Sequence, residues 1–261
     1  MTTMWTDQVA VVTGGARGLG RAIVRRLAGH GVAVAINYRA GTEIAEALAE
    51  EIRAGGGRAI AVGADVADAA AVNAIAARTE AELGPISILV NNAGIAWAAT
   101  LETWEPIGFA RLRAVNVDGT IHAIRAVIAG MKARRYGRIV NISSIASFGT
   151  TGFPGNHFYA STKAEVNILT RRFALELGGH GITVNAVAPG FTRTDMTRGA
   201  NTEAEWKAVE AGFAHAAMTG RIGEPADIAN AVAFFAAPES GWITAQVLAV
   251  DGGRTDYIGH G

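Results

Sequence analysis

The chain has 261 residues, enough for one large α/β domain with a sizeable core, and half of them are hydrophobic against 18% charged, which excludes a disordered chain. Lys plus Arg equals Asp plus Glu at 23 each, so no net field draws it to nucleic acid or an acidic membrane. Cysteine is absent, which removes disulfides, thiolate metal sites and cysteine nucleophiles, while 33 glycines are nearly twice the usual ~7%.

Short β-branched runs alternate with longer Ala- and Leu-rich stretches along the whole sequence. Residues 8–13 read as a buried strand and 19–28 as the helix after it. A second strand over 32–37 precedes a helix over 42–54, and strands at 58–62 and 86–90 flank a helix over 69–82. In that helix Val72, Ile75, Ala76 and Leu83 form one apolar stripe. Further strands are expected at 138–142, 182–187 and 246–250. Continuous apolar strands separated by amphipathic helices indicate a parallel sheet covered on both faces. No repeat, linker or charge block divides the chain, so residues 1–261 read as a single α/β domain. No apolar run reaches the ~18 residues of a membrane helix, and residues 1–8 lack the basic and apolar regions of a signal peptide. A cytoplasmic protein is the expectation.

In such a sheet, ligands bind beyond the carboxyl ends of the strands, where strand order reverses. The first of these turns reads Thr13-Gly14-Gly15-Ala16-Arg17-Gly18-Leu19-Gly20. Gly14, Gly18 and Gly20 permit a tight turn and close approach of backbone to a pyrophosphate, which the following helix N-terminus stabilises. After the second strand stand Asn37, Tyr38 and Arg39. An acidic residue there would hold the ribose hydroxyls of NAD. Arg39, with Arg17 in the glycine turn, instead offers forked donors to a 2′-phosphate, which favours NADP(H) over NAD(H). The plainer reading of both arginines is solvated surface charge.

Tyr159 and Lys163 lie four apart in a helical stretch and share one face. A free phenol is a poor proton shuttle at neutral pH, and a neighbouring ammonium and a positive nicotinamide would favour its ionised form. Lysine can also hold the cofactor ribose. Ser143 and Ser144 close the preceding strand, where a hydroxyl can donate to a substrate carbonyl as charge develops on its oxygen. Asn116 sits in a long helical stretch, where it would either hold a water in a proton relay or bond to backbone and bend the helix. The six histidines never form His-x3-His, so no metal site is expected.

These residues resemble the short-chain dehydrogenase/reductase family. The resemblance covers nearly the whole chain through Thr13-Gly14-x3-Gly18-x-Gly20, Asp65, Asn91-Asn92-Ala93-Gly94, Asn116, Ser144, Tyr159-x3-Lys163, Pro189-Gly190 and Val250-Asp251-Gly252-Gly253. It implies a Rossmann fold of about seven strands in the order 3-2-1-4-5-6-7 and a catalytic tetrad of Asn116, Ser144, Tyr159 and Lys163. It implies that Gly14, Arg17, Gly18, Leu19 and Gly20 cradle the cofactor, with Tyr38 and Arg39 at its ribose. By the same resemblance Asp65 and Val66 contact adenine, and Asn91, Ala93 and Gly94 border the cofactor. After Pro189 and Gly190, either Thr192 or Thr194 should hold the nicotinamide carboxamide. The last strand in this family usually contributes to a tetramer interface, so a homotetramer is expected.

Ser144 and Tyr159 are fifteen positions apart, more than the family commonly shows. The extra length falls on a loop over 148–158 at the substrate mouth, and Ser143 and Ser147 stay open as alternatives to Ser144. The run from Arg221 to Ala229 resembles 3-oxoacyl-acyl-carrier-protein reductases. Those enzymes need basic residues near the mouth to meet an acidic carrier protein. Arg135 matches one such position, and His180 stands where a second arginine is often found. Trp97, Phe148, Phe153 and Trp206 fall in segments expected around the pocket, and residues 191–220 read as a substrate lid. The expected reaction is therefore NADPH-dependent reduction of a ketone, a 3-oxoacyl thioester or another small carbonyl, to a secondary alcohol. An NAD-dependent alcohol, sugar, steroid or polyol dehydrogenase is the alternative, with an acyl carrier protein as a possible partner.

Overall fold

The computed structural model describes residues 5–149 and 155–254. Seven parallel strands form one sheet in the order β3-β2-β1-β4-β5-β6-β7. They are β1 (Val9–Val12), β2 (Ala33–Tyr38), β3 (Ala59–Gly63), β4 (Ile88–Asn91), β5 (Gly137–Ile142), β6 (Ile182–Pro189) and β7 (Val247–Val250). Every link between neighbouring strands is a crossover, and helices fill it: α1 (Gly18–Gly29), α2 (Thr42–Ala54), α3 (Ala69–Glu82), α4 (Pro106–Arg113), α5 (Gly119–Arg134), α6 (His157–Leu177), α7 (Asp195–Arg198), α8 (Glu203–His215) and α9 (Pro225–Ala236). The single sheet and the strand order are those expected from the sequence, with strand ends moved by one or two residues.

Strand alternation divides the core into two layers. Ala10 and Val12 of β1 turn to one face, where Ile23, Val24 and Leu27 of α1 meet Ile228, Val232 and Phe235 of α9. Val9 and Val11 turn to the other, against Val72 and Ile75 of α3, Val127 and Met131 of α5 and Leu177 of α6. Because both faces are covered, the strands read as unbroken apolar runs rather than as alternating ones.

Local chemistry sets the helix starts. Asp68 caps α3 by accepting from the Ala70 and Ala71 amides at 2.8 and 3.1 Å. Thr202 and Glu205 cap α8 reciprocally, while Pro225 opens α9. Helix α1, like α4, α5 and α6, has no side-chain cap and no acid in its first turn; its N-cap is Arg17. Its leading amides are left to the space in front of them. Between α4 and α5 the chain makes one wider π-turn, Ala114–Asp118, in which Val115, Asn116 and Val117 are all buried.

Among the described residues, no helix is long and apolar enough to cross a membrane. Phe153 and the middle of the loop expected over 148–158 lie outside the described residues.

Candidate active site

The turns after β1, β4, β5 and β6 enclose a cavity of about 650 Å³. Its floor is the glycine turn. Gly14 and Gly18 hold φ of +60° and +51°, a region that side chains with a Cβ rarely adopt. A Cβ on Gly20 would lie 2.2 Å from the Gly14 carbonyl oxygen, so only glycine closes this turn onto α1. Thr13 Oγ1 accepts from the Asn92 and Ala93 amides at 3.0 Å, and Asn92 Nδ2 donates to the Thr13 and Gly14 carbonyls. The two turns therefore stand as one rigid piece. Asn37 Oδ1 accepts from the Gly14 amide at 3.3 Å, while its Nδ2 donates to the Val62 and Ala64 carbonyls. That side chain is a strut between strands; Tyr38 beside it is half-buried against the core, and Arg39 is exposed.

Leu19, Ala93, Gly94, Pro189, Gly190, Thr192 and Thr194 also line the cavity. Arg17 lines it too, with its guanidinium reaching over Gly41. Thr194 caps α7 and lies across from Gly18, 3.7 Å from where a Cβ would stand. Thr192 is buried and donates to the Gly190 carbonyl at 3.0 Å. A Cβ on Gly190 would lie 2.6 Å from the Asp251 Cα, so its glycine is required by the chain end behind it.

Tyr38, Arg39, Asp65 and Val66 do not line this cavity: Tyr38 ends β2, Arg39 follows it, and Asp65 and Val66 follow β3. Asp65 accepts from the Ala67 amide at 3.0 Å and from Arg111 at 2.6 Å. Burial works against its ionisation, but the Ala67 amide, Arg111 and the nearby Arg39 outweigh it and hold the carboxyl below its ordinary range. Asn91 also departs from the cofactor-bordering expectation. Its side chain is buried and donates to Asn141 at 2.8 Å, which donates onward to Thr170 at 2.9 Å. Asn91 and Asn141 are register partners across β4 and β5, and the pleat turns both away from the cavity. Asn92 takes the lining position instead.

Helix α6 carries Tyr159 and Lys163 on its inner face. Lys163 is 4% exposed, and its Nζ donates to the Ile142 carbonyl, the last of β5, at 2.8 Å. Burial pulls its pKa from 10.5 down to about 8. Tyr159 shares a hydrogen bond with Ser144, and burial raises its pKa against the opposing effect of that bond. Lys163 Nζ lies 5.8 Å from the Tyr159 ring centroid. Burial thus outweighs the Ser144 bond and holds the phenol above its ordinary range.

The three nearby serines separate by partner. Ser143 Oγ donates to the Lys163 carbonyl at 3.1 Å, and Ser147 Oγ donates to the Ser144 carbonyl and accepts from Asn167. Ser144, which accepts from the Ala146 amide, is the one that meets Tyr159. Asn116 lies just behind the wall. Its Oδ1 accepts from the Ile95 amide at 2.9 Å, and its Nδ2 donates to the Ile95 carbonyl and to Thr162. A Cβ on Gly94 would stand 3.4 Å from both Asn116 Oδ1 and Lys163 Nζ, so Gly94 leaves an opening to both.

Of the aromatic residues expected around the pocket, Trp97 lines it, whereas Phe148 is exposed and Trp206 is buried behind Phe191. The sequence reading missed Phe191 and Phe213, which stack with centroids 3.8 Å apart and line the cavity. Arg135 and His180 require a correction. They precede β5 and β6, and so stand at the amino edge of the sheet, opposite the cavity; Arg135 donates there to the Gly179 carbonyl at 3.1 Å. Within one chain they cannot flank the mouth.

Comparison with known proteins agrees with this geometry. A family model described as Enoyl-(Acyl carrier protein) reductase matches residues 14–255. The chain is 41% identical over 250 residues to the short-chain reductase protein NovJ of Streptomyces niveus, covering 95% of this chain and 94% of NovJ. It is 40% identical over 244 residues to the 3-oxoacyl-[acyl-carrier-protein] reductase FabG of Staphylococcus aureus, covering 94% and 96%. Among solved structures, a 7α-hydroxysteroid dehydrogenase complexed with NADH and 7-oxo glycochenodeoxycholic acid superposes with a TM-score of 0.90 at 30% identity, covering 97% of this chain and 96% of that one. A gluconate 5-dehydrogenase from Burkholderia cenocepacia, in complex with NADP and tartrate, superposes with a TM-score of 0.87 at 36% identity, covering 95% of both.

Proposed function

The chain belongs to the short-chain dehydrogenase/reductase family and is an NAD(P)-dependent oxidoreductase acting on CH–OH groups, and from that premise we propose that it reduces a ketone to a secondary alcohol with NADPH. The observation that carries this reading is the Tyr159–Ser144 hydrogen bond on the cavity wall, beside the buried Lys163. A protonated phenol paired with a hydroxyl suits a carbonyl oxygen that gains charge and then a proton.

The residues present fit a dinucleotide. The uncapped N-terminus of α1 opens above glycines that leave room for a pyrophosphate, and Gly94 clears a path to Lys163. Arg17 and Arg39 support NADPH over NADH through charge-assisted bonds to a 2′-phosphate. The NADP and NADH complexes among the structural relatives show that this fold accommodates either. When bound, the dinucleotide supplies the hydride that reaches the carbonyl carbon. Ser144 holds the carbonyl oxygen, and Tyr159 gives it the phenolic proton. Lys163 holds the ribose and, as an ammonium, stabilises the phenolate left behind. Asn116 fixes the segment at Ile95 and supports the water from which Tyr159 is reprotonated. Segment 191–220, with α7 and α8, would close over the bound pair as a lid. The apolar edge at β7, where Leu248 and Trp242 are exposed, supports a homotetramer as the working form.

Tyr159→Phe tests the reading. Ketone-dependent NADPH oxidation should fall at least about a thousandfold, because the donor proton is gone, while NADPH affinity stays within a few-fold. Activity above a tenth of wild type would remove Tyr159 from the role of proton donor.

A further inference from the structure

Sheet order places the ends of β4, β5 and β6 side by side, and Ser144 follows the middle one. Trp97 enters the cavity from the segment after β4, and Phe191 from the segment after β6. Aromatic side chains therefore line the cavity on both flanks of the strand that Ser144 follows. On the β6 flank Phe191 lies flat on Phe213, with ring planes 5° apart, and the Arg254 guanidinium lies 5.2 Å from the Phe213 centroid. On the β4 flank Trp97 tilts against Phe158, the residue before Tyr159, with centroids 5.8 Å apart. Phe158 is itself backed by Phe109 at 5.5 Å and Trp104 at 6.3 Å.

An absent side chain seats Trp97. A Cβ on Gly108, inside α4, would lie 2.6 Å from Trp97 Cζ2 and 2.7 Å from Cε2, closer than real Cβ atoms come. Alanine is the better helix former at such a position, so propensity does not account for glycine there. The indole occupies the space that the missing methyl leaves, and Phe158 closes it from the other side.

We propose that Gly108 is a specificity-determining position: it seats Trp97 as a fixed wall, and the site takes a flat aromatic ketone between Trp97 and the Phe191–Phe213 stack. The inference rests on the carbonyl-reductase reading of the same cavity. Offset and edge-on ring contacts reward an aromatic ligand on both flanks, whereas a flexible aliphatic chain must lose rotamer freedom to cover the same surfaces. Polar groups at the reacting end, Ser144 and Tyr159, then orient the carbonyl while apolar walls hold the remainder.

The test compares acetophenone with 2-octanone, which have the same number of carbons, as substrates in NADPH oxidation. Wild type should show a kcat/KM at least tenfold higher for acetophenone. In Gly108→Ala, KM for acetophenone should rise about tenfold with kcat nearly kept, and KM for 2-octanone should move far less. NADPH affinity, read by fluorescence, reports that the variant is folded. Adding Trp97→Leu to Gly108→Ala removes the overlap, so thermal stability should return while the acetophenone preference does not. Equal kcat/KM for the two ketones in wild type, or a parallel rise of both KM values in Gly108→Ala, overturns the inference and leaves the carbonyl-reductase reading standing. No NADPH oxidation with either ketone, or with a 3-oxoacyl thioester, overturns both.

Discussion

Replacing Lys163 with methionine should alter how the fold responds to pH, by an amount that burial of the ammonium sets. Lys163 is 4% exposed and donates to the Ile142 carbonyl, and desolvation brings its pKa from 10.5 to about 8. That gap of about 2.5 pH units corresponds, at ~1.36 kcal/mol each, to about 3 kcal/mol that the native state loses by holding the charge. Below pH 8 the native and unfolded chains both carry the proton, so the whole penalty is present. Between about 8 and 10.5 the native chain gives up its proton while the unfolded chain keeps it, and stability rises with pH. Above 10.5 both are neutral and the penalty is gone. Lys163→Met removes the titration but not the other ionisable groups, whose contributions cancel in the difference between the two proteins. Urea unfolding at one protein concentration, followed at pH 7, 8, 9 and 9.5, reads that difference. Wild type should gain on Lys163→Met by about 2 kcal/mol between pH 8 and 9.5. A difference that stays constant within about 0.5 kcal/mol would refute the reasoning, because it would mean that the site solvates the ammonium as well as water does.

Asn116→Ala leaves the Ile95 amide and carbonyl without their side-chain partner, and should cost about 2 kcal/mol or more in denaturant unfolding. A loss below about 0.5 kcal/mol would show that water replaces both bonds. Gly20→Ala forces a Cβ to 2.2 Å from the Gly14 carbonyl, so the turn must shift; NADPH Kd should rise at least about tenfold and Tm should fall by several degrees. An unchanged Kd in a folded variant would detach cofactor binding from this turn. Arg17→Ala and Arg39→Ala should each weaken NADPH about tenfold or more while leaving NADH Kd nearly unchanged, with a shallower salt dependence than wild type. Equal losses for both dinucleotides would place these arginines away from the 2′-phosphate.

What the sequence could disclose depended on how local each signal is. The glycine turn and the Tyr159–Lys163 spacing are short-range codes: φ above zero admits few residues, and four positions on a helix share a face whatever surrounds them. The strands announced themselves because burial on both faces leaves them uniformly apolar. Features that depend on register or on distant partners stayed hidden. Asn91 and Asn92 are the same letter, and the pairing of Asn91 with Asn141 sends one inward and the other to the cavity. The π-turn around Asn116 has no propensity signature, since its extra residue is accommodated by packing. The seat of Trp97 on Gly108 joins a loop to a helix eleven positions away and cannot be read from either alone. Arg135 and His180 show the opposite case. Each stands two positions before a strand begins, so strand direction alone places them on the edge away from the cavity.

The end of the described chain has a mechanical consequence. The Met218 and Thr219 amides donate to the Gly253 and Gly252 carbonyls at 2.9 and 3.1 Å, and Gly190 rests directly against Asp251. Both roots of segment 191–220 are thus moored to the same four residues after β7. Gly252 and Gly253 hold φ of +73° and +71°, so a side chain at either would twist the mooring itself. If segment 191–220 closes as proposed, residues 251–254 would be the plate on which it hinges, although Asp251, Gly252 and Gly253 do not line the cavity. On that proposal, substitutions at Gly252 or Gly253 should alter turnover and ligand residence more than they alter Tm.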